Sequence, residues 1–176
     1  MIAFFRRRPT WMFSAVALSL LGTTTHVAHA QSSFTDEKVW TESVVAPPAA
    51  FSTEQLLPFD VRLTSTLTYG IDPNTLTVGE DGVVRYVMVA RSSSGALNVL
   101  YQGIRCTTAE TKTYGRFSDQ GKWNASPDSP WQELSFRGNT RPAMILARQG
   151  VCEGRTVTGN AQKILATLKS DRNQIR

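Results

Sequence analysis

The sequence predicts an α+β domain, mainly an antiparallel β-sheet with C-terminal helices packed on it and held by one disulfide. Three observations predict it. Segments of alternating or β-branched residues recur from Val61 to Phe117, separated by glycine-containing turns. Two later segments, Arg141 to Gln149 and Asn160 to Lys169, carry helical spacing. Cys106 and Cys152 are the only cysteines. Strands followed by helices, rather than alternating with them, give α+β rather than α/β.

The elements follow in chain order. Arg6, Arg7 and Arg8 precede an apolar stretch from Trp11 to Leu21, and Ala28-His29-Ala30 supplies small residues at a cleavage point. Residues 1–30 therefore read as a signal peptide cleaved after Ala30. The apolar core spans about a dozen residues, short of the roughly 20 that a membrane helix needs. No long apolar run follows, and no cysteine near the junction could carry a lipid. No transmembrane segment is expected after cleavage. Residues 31–60, with Pro47, Pro48 and Pro58 and no sustained periodicity, read as an extended N-terminal arm anchored by Trp40, Phe51, Leu57 and Phe59.

Residues 61–176 form the predicted domain. Val61 to Tyr69 alternates Val, Leu, Ser, Leu, Tyr with Arg and Thr, the period of a half-buried strand, and is expected to stop at Gly70. Leu76-Thr77-Val78, Val83 to Arg91 and Ala96 to Cys106 are the next strands, joined at Gly79-Glu80-Asp81-Gly82 and at Ser92-Ser93-Ser94-Gly95. A three-residue loop, Ser93 to Gly95, sets the register: Met88 faces Leu100, Val84 faces Ile104, Tyr86 faces Gln102. Val89 with Val99 and Val87 with Tyr101 lie on the other side, so both faces are apolar and the hairpin should be central. Thr111 to Phe117 and Trp131 to Phe136 are further strands, with a turn at Asp119-Gln120-Gly121 between them. In the final helix Ile164, Leu165 and Leu168 form one stripe, capped by Thr158 or Asn160.

Composition excludes several chemistries. Removing the leader takes three of 19 basic residues and no acid, leaving 16 against 14, a balance of +2 with the charges dispersed. Nucleic-acid binding needs clustered basic charge, so no nucleic acid is expected as a partner. His26 and His29, the only histidines, lie in the leader. Without them no Ser-His-Asp or Cys-His mechanism and no histidine-ligated zinc is possible, and no cofactor is expected. In an exported chain the two cysteines read as a structural disulfide closing a 47-residue loop.

Candidate binding residues cluster on one side of the hairpin. Arg85, Arg91 and Arg105 share it, with Tyr101 between them and Tyr114 and Trp123 as flat contacts beyond. Like charges side by side on a sheet repel, so these arginines require either carboxylate partners, with Glu110, Asp119 and Glu133 available, or a bound anion. Trp40, Trp123 and Trp131 are either an aromatic platform or packing residues. Asp81 beside Glu80 could form a carboxylate pair for glycoside hydrolysis, but Asp-Gly there is also ordinary turn chemistry.

The order Val78-Gly79-Glu80-Asp81-Gly82-Val83-Val84-Arg85-Tyr86, then Ala90-Arg91-Ser92, Ser94-Gly95-Ala96 and Tyr101-Gln102-Gly103-Ile104-Arg105-Cys106, resembles the cryptic neisserial protein-like family of bacterial envelope proteins. The likeness extends to Trp40, Leu57-Pro58, Glu110-x-Lys112-x-Tyr114-Gly115, Trp123, Trp131 and Cys152. The resemblance implies an envelope location and carries no established activity. A lipoprotein leader and an aromatic residue before the second cysteine are common in that family; here the leader lacks a lipobox and Gly150-Val151 precedes Cys152. The functional expectation is a periplasmic, or else extracellular, non-enzymatic module that binds an envelope protein or envelope component. The alternative is a carboxylate-dependent hydrolase of cell wall or glycan.

Overall fold

A computed structural model describes residues 39–61 and 66–174; the leader, residues 31–38 and residues 62–65 of the predicted Val61 to Tyr69 strand lie outside the described residues. The strands are β1 (Leu57–Phe59), β2 (Thr68–Ile71), β3 (Thr77–Val78), β4 (Val83–Arg91), β5 (Leu97–Arg105), β6 (Glu110–Phe117), β7 (Trp123–Ala125) and β8 (Gln132–Glu133). They form one antiparallel sheet in the order β1-β2-β4-β5-β6-β7, with β3 also on β4 and β8 on β6. Helix α1 (Arg141–Leu146), a π turn over Ala147–Val151, a small hairpin of β9 (Cys152–Glu153) and β10 (Thr156–Val157), and helix α2 (Ala161–Gln174) follow.

Three hairpins are built by one device. In Gly79 to Val83, Ser92 to Ala96 and Ser118 to Lys122, the first residue's N–H donates to the carbonyl of the fifth, and the fourth's N–H donates back to the first. The fourth residue is Gly82, Gly95 or Gly121, each with φ between 74° and 87°. That conformation is cheap for glycine alone. The three-residue loop at Gly95 sets the expected register of β4 on β5, pairing Val84 with Ile104, Tyr86 with Gln102 and Met88 with Leu100.

The central hairpin is apolar on both faces, and each face has its own cover. Val84, Tyr86, Met88, Leu100 and Ile104 pack against Leu146, Val151, Ile164 and Leu168 of the helical layer. Val87, Val89, Val99, Tyr101 and Tyr114 form the opposite core with Val45, Phe51 and Leu56. Those last three come from residues 39–56, a strap that forms no helix or strand and lies across that face.

Apart from one-residue shifts at strand ends and a β2 that starts at Thr68, four departures from the sequence reading have a structural reason. Strand β2 runs through Gly70 instead of ending there, because Gly70 is a close approach: a Cβ at this position would lie 2.8 Å from Leu56 Cβ of the strap. The chain turns instead at Asp72, whose Oδ1 accepts from Asn74 N–H. Of Trp131 to Phe136 only Gln132 and Glu133 pair with β6. Beyond them Ser135 N–H donates to Thr140 Oγ1 and Leu134 enters the helix-side core. The first helix keeps α geometry only to Leu146, and the π turn that follows breaks at Gly150, whose φ is 151°. Side chain-free Gly150 also lets α2 approach, a Cβ there falling 2.7 Å from Thr167 Cγ2. Finally α2 extends to Gln174, and its cap is Asn160, whose Oδ1 accepts from Lys163 N–H.

Cys106 and Cys152 form the disulfide, tying the residue after β5 to the end of the π turn. Replacing both by serine should lower unfolding free energy by about 4 kcal/mol on the chain-entropy account of a loop this long. Urea denaturation of the double variant beside the parent measures it, and equal midpoints would show that the bridge carries no stability.

Candidate functional site

The six sequence-predicted binding residues occupy the strap-covered face, and the structure assigns each a partner or a packing role. Arg85 stands in the middle of β4 with 2% of its side chain exposed. Desolvating a guanidinium is costly unless a carboxylate meets it. Asp81 does so through both oxygens, Oδ2 to Nη2 at 2.5 Å and Oδ1 to Nη1 at 3.1 Å. The sequence offers this partner as turn chemistry or as half of a carboxylate pair with Glu80, and the turn role is real: Asp81 Oδ1 also accepts from Val83 N–H. Gly79 makes room for the pair, because a Cβ there would fall 2.4 Å from Asp81 Oδ1. Burial works against the Asp81 carboxylate's charge, but hydrogen bonds from Arg85, Ser43 N–H and Val83 N–H outweigh it and hold the pKa at about 2.

Arg105 takes Glu110 at 3.8 Å, one of the expected acids, but its main contact is Trp40, whose ring centroid lies 3.6 Å from the guanidinium carbon. Arg91 donates to Thr53 O at 3.0 Å and pairs with Glu54 at 3.1 Å. Trp123 Nε1 donates to Pro48 O at 3.0 Å. Tyr101 and Tyr114 are buried among the aromatic residues. Tyr114 occupies the irregularity in β6 opposite Tyr101 and Gln102, and Gly103 leaves space for its ring. Burial and the neighbouring Glu42 push the Tyr114 hydroxyl's pKa well above the usual phenol range.

Reading the sequence missed the groups that organise this face from the strap. Glu42 accepts from Lys112 Nζ at 3.0 Å and from Trp131 Nε1 at 3.2 Å. Burial opposes its charge, and the nearby Tyr114 hydroxyl with the hydrogen bonds from Lys112 and Trp131 overcomes that to lower its pKa. Ser43 N–H donates to Asp81 Oδ2, and Trp40 Nε1 donates to Asp81 O. Farther along, Ser52 N–H donates to Asp72 Oδ2. No local pattern announces these pairs, since Lys112 and Glu42 stand 70 residues apart.

The rings form an unbroken series from Trp40 through Trp131, Tyr114, Tyr101 and Trp123 to Phe51 and Phe117, with neighbouring centroids 4.8 to 6.4 Å apart. At the Phe51 end the series opens into a groove of about 580 Å³ between the strap and the ends of β5 and β6, lined by Ala50, Phe51, Leu97, Val99, Phe117 and Trp123. Its one acidic lining residue is Asp119. Glu80 and Asp81 do not converge, for Glu80 is exposed while Asp81 is turned inward to Arg85. Among the described residues no cluster of three or more His, Cys, Asp or Glu could hold a metal, and no helix is long and apolar enough to cross a membrane.

The folded Asp81 pKa of about 2 lies below the ordinary 3.8. Its stabilisation is therefore whole above about pH 4 and is lost as pH falls toward 2, roughly 2 kcal/mol in all. Asp81→Asn should cost about 3 kcal/mol at neutral pH by leaving a buried guanidinium without its counter-charge. It should also remove that part of the acid dependence. Denaturant titrations of both proteins from pH 7 to pH 2 test this, and parallel acid profiles would refute it.

A family model for the CNP1-like family matches residues 35–169. No curated protein and no solved structure matches the chain. The family match begins four residues before the described strap and ends within α2, taking in the sheet, both bridged cysteines and every residue of the aromatic face, and the chain belongs to the CNP1-like family.

Proposed function

We propose that this chain is exported, loses residues 1–30, and acts in the periplasm as a non-enzymatic module that binds another envelope protein or an envelope component through its aromatic face. Two independent features support export. The leader has a basic start, an apolar core and a small-residue cleavage point. The disulfide between Cys106 and Cys152 is a bond that persists in oxidising compartments.

The observation that carries the binding reading is the groove where the series of rings reaches solvent. Leu97 is 39% exposed on its wall, and Phe117 and Trp123 line it with Val99 behind them. Aromatic side chains present large contact area at small entropic cost and are common anchors of recognition surfaces. The acids nearby do not suit hydrolysis. Asp81 is committed to Arg85 and Glu42 to Lys112 and Trp131, so neither is poised as a general acid.

Cell fractionation with intact-mass measurement tests export: the expected species begins at Gln31, carries the oxidised bridge and is released with periplasmic contents. A photo-reactive residue at Leu97 should cross-link a discrete partner in intact cells, whereas one at the exposed Arg137 should not. Identical products from the two positions would reject the groove as the binding surface.

A further inference from the structure

We infer that the strap, residues 39–56, is an in-chain occupant of a peptide-recognition face, and that the partner carries an extended segment of the same chemistry, an aromatic residue and a carboxylate two positions apart. This deepens the binding reading above and rests on it. The strap is bound as a ligand is bound. It contributes no strand to the sheet; its hold consists of discrete side-chain seats and single backbone bonds at Ser43, Pro48, Ser52 and Thr53. Trp40 lies against Arg105 and edge-on to Trp131, while Glu42 meets Lys112 and Trp131. Pro47 sits against Gly115, where a Cβ would approach its ring to 3.2 Å, and Phe51 packs on Phe117 and Trp123.

The charged pairs that cross between the two surfaces all run one way, cation on the sheet and carboxylate on the strap, while Arg85 and Arg105 have the sheet-side acids Asp81 and Glu110. The sheet side supplies Arg91 and Lys112, and the strap answers with Glu54 and Glu42. The fit is incomplete. Arg85 Nε and Arg105 Nε are buried donors with no acceptor in hydrogen-bond geometry among the described residues, and Glu42 Oε1 and the Tyr114 hydroxyl between these groups are buried without a partner as well. Buried unpaired polar atoms raise the free energy of the strapped state, so a segment carrying further acceptors gains what the strap leaves unmade. Pro47 and Pro48 favour extended backbone, the conformation in which alternate residues face the receptor. The outward residues Val39 and Val44 have almost no contacts to lose on release, being 85% and 103% exposed. A segment held by side chains without a ladder belongs to the low-stability end of a fold, where local opening precedes global unfolding.

Two measurements on the full chain test this. In the unmodified protein, the amide protons of Ser43 and Ser52, bonded to Asp81 and Asp72, should exchange at least 100-fold faster than those of β4 and β5. Exchange only at the rate of the central strands would show that the strap does not leave, and would overturn the inference. The second measurement uses a fluorescent peptide with the sequence of residues 39–56. Trp40→Ala/Glu42→Ala in the full chain, shown to be folded by circular dichroism and a cooperative melt, should bind it at least 10-fold more tightly than the parent. Adding Lys112→Ala should abolish the gain, as should replacing the peptide's own tryptophan by alanine and its first glutamate by glutamine. Equal affinity for parent and variant, or for both peptides, would overturn the inference. Cross-linking at Leu97 reports on partner capture in cells, whereas exchange and peptide affinity report on the strap alone, so failure here and failure of the binding reading are separable.

Discussion

A guanidinium in the middle of a sheet face forbids that face from closing until something neutralises it, and the pairing of Arg85 with Asp81 is what permits the second core of this protein. The carboxylate reaches Arg85 from the β3–β4 turn, so the connection that reverses the chain also supplies the counter-charge. Asp81 then holds the strap with what remains, its Oδ2 accepting from Ser43 N–H and its carbonyl from Trp40. Turn, ion pair and strap are thus one polar construction, and Gly79 is the small residue that lets its atoms meet. Around it the aromatic rings exclude water, which strengthens each of these bonds.

The adjacent residues Arg105 and Cys106 show how the two layers are fastened. Successive side chains leave a strand toward opposite faces. At the end of β5 Arg105 stacks on Trp40 of the strap, while Cys106 bridges to Cys152 beneath the helical layer. One fastening is covalent and the other a cation–π contact, whose strength is about 1 to 2 kcal/mol when partly desolvated. The fold therefore has one face shut by a bond that thermal motion does not break and one face shut by contacts that it can.

What the sequence made legible was the part governed by local rules. Glycines at the fourth position of three loops fixed the hairpins, and the loop at Ser92 to Gly95 fixed the pairing of β4 with β5 residue by residue. Apolar residues on both sides of that hairpin announced two covered faces, and the cysteine pair announced the bridge. Long-range choices were not legible. Gly70 read as a stop because glycine usually punctuates a strand, whereas here it admits Leu56 of the strap. The arginines were recognised as needing counter-charges, but only Arg105 takes an expected acid, Glu110. Asp81 was hidden behind its role in the turn, and Glu42 behind a separation of 70 residues from Lys112. In the extended segment 39–56 the aromatic anchors Trp40 and Phe51 were legible, but without periodicity the residues they seat against were not.

The asymmetry between the two faces gives the aromatic surface its functional meaning. A binding face left bare would expose the five rings of Tyr101, Tyr114, Phe117, Trp123 and Trp131 beside a cluster of cations, a combination prone to indiscriminate association. Covering it with a segment of complementary chemistry avoids this, and it also sets a selectivity threshold, because an incoming ligand must match the strap's own contacts before it can displace them. The unpaired Arg85 Nε and Arg105 Nε leave room above that threshold for a ligand richer in acceptors. Since the opposite face is locked by the disulfide, release of the strap need not loosen the helical layer, and the sheet between them can serve as a rigid support for exchange on one side only.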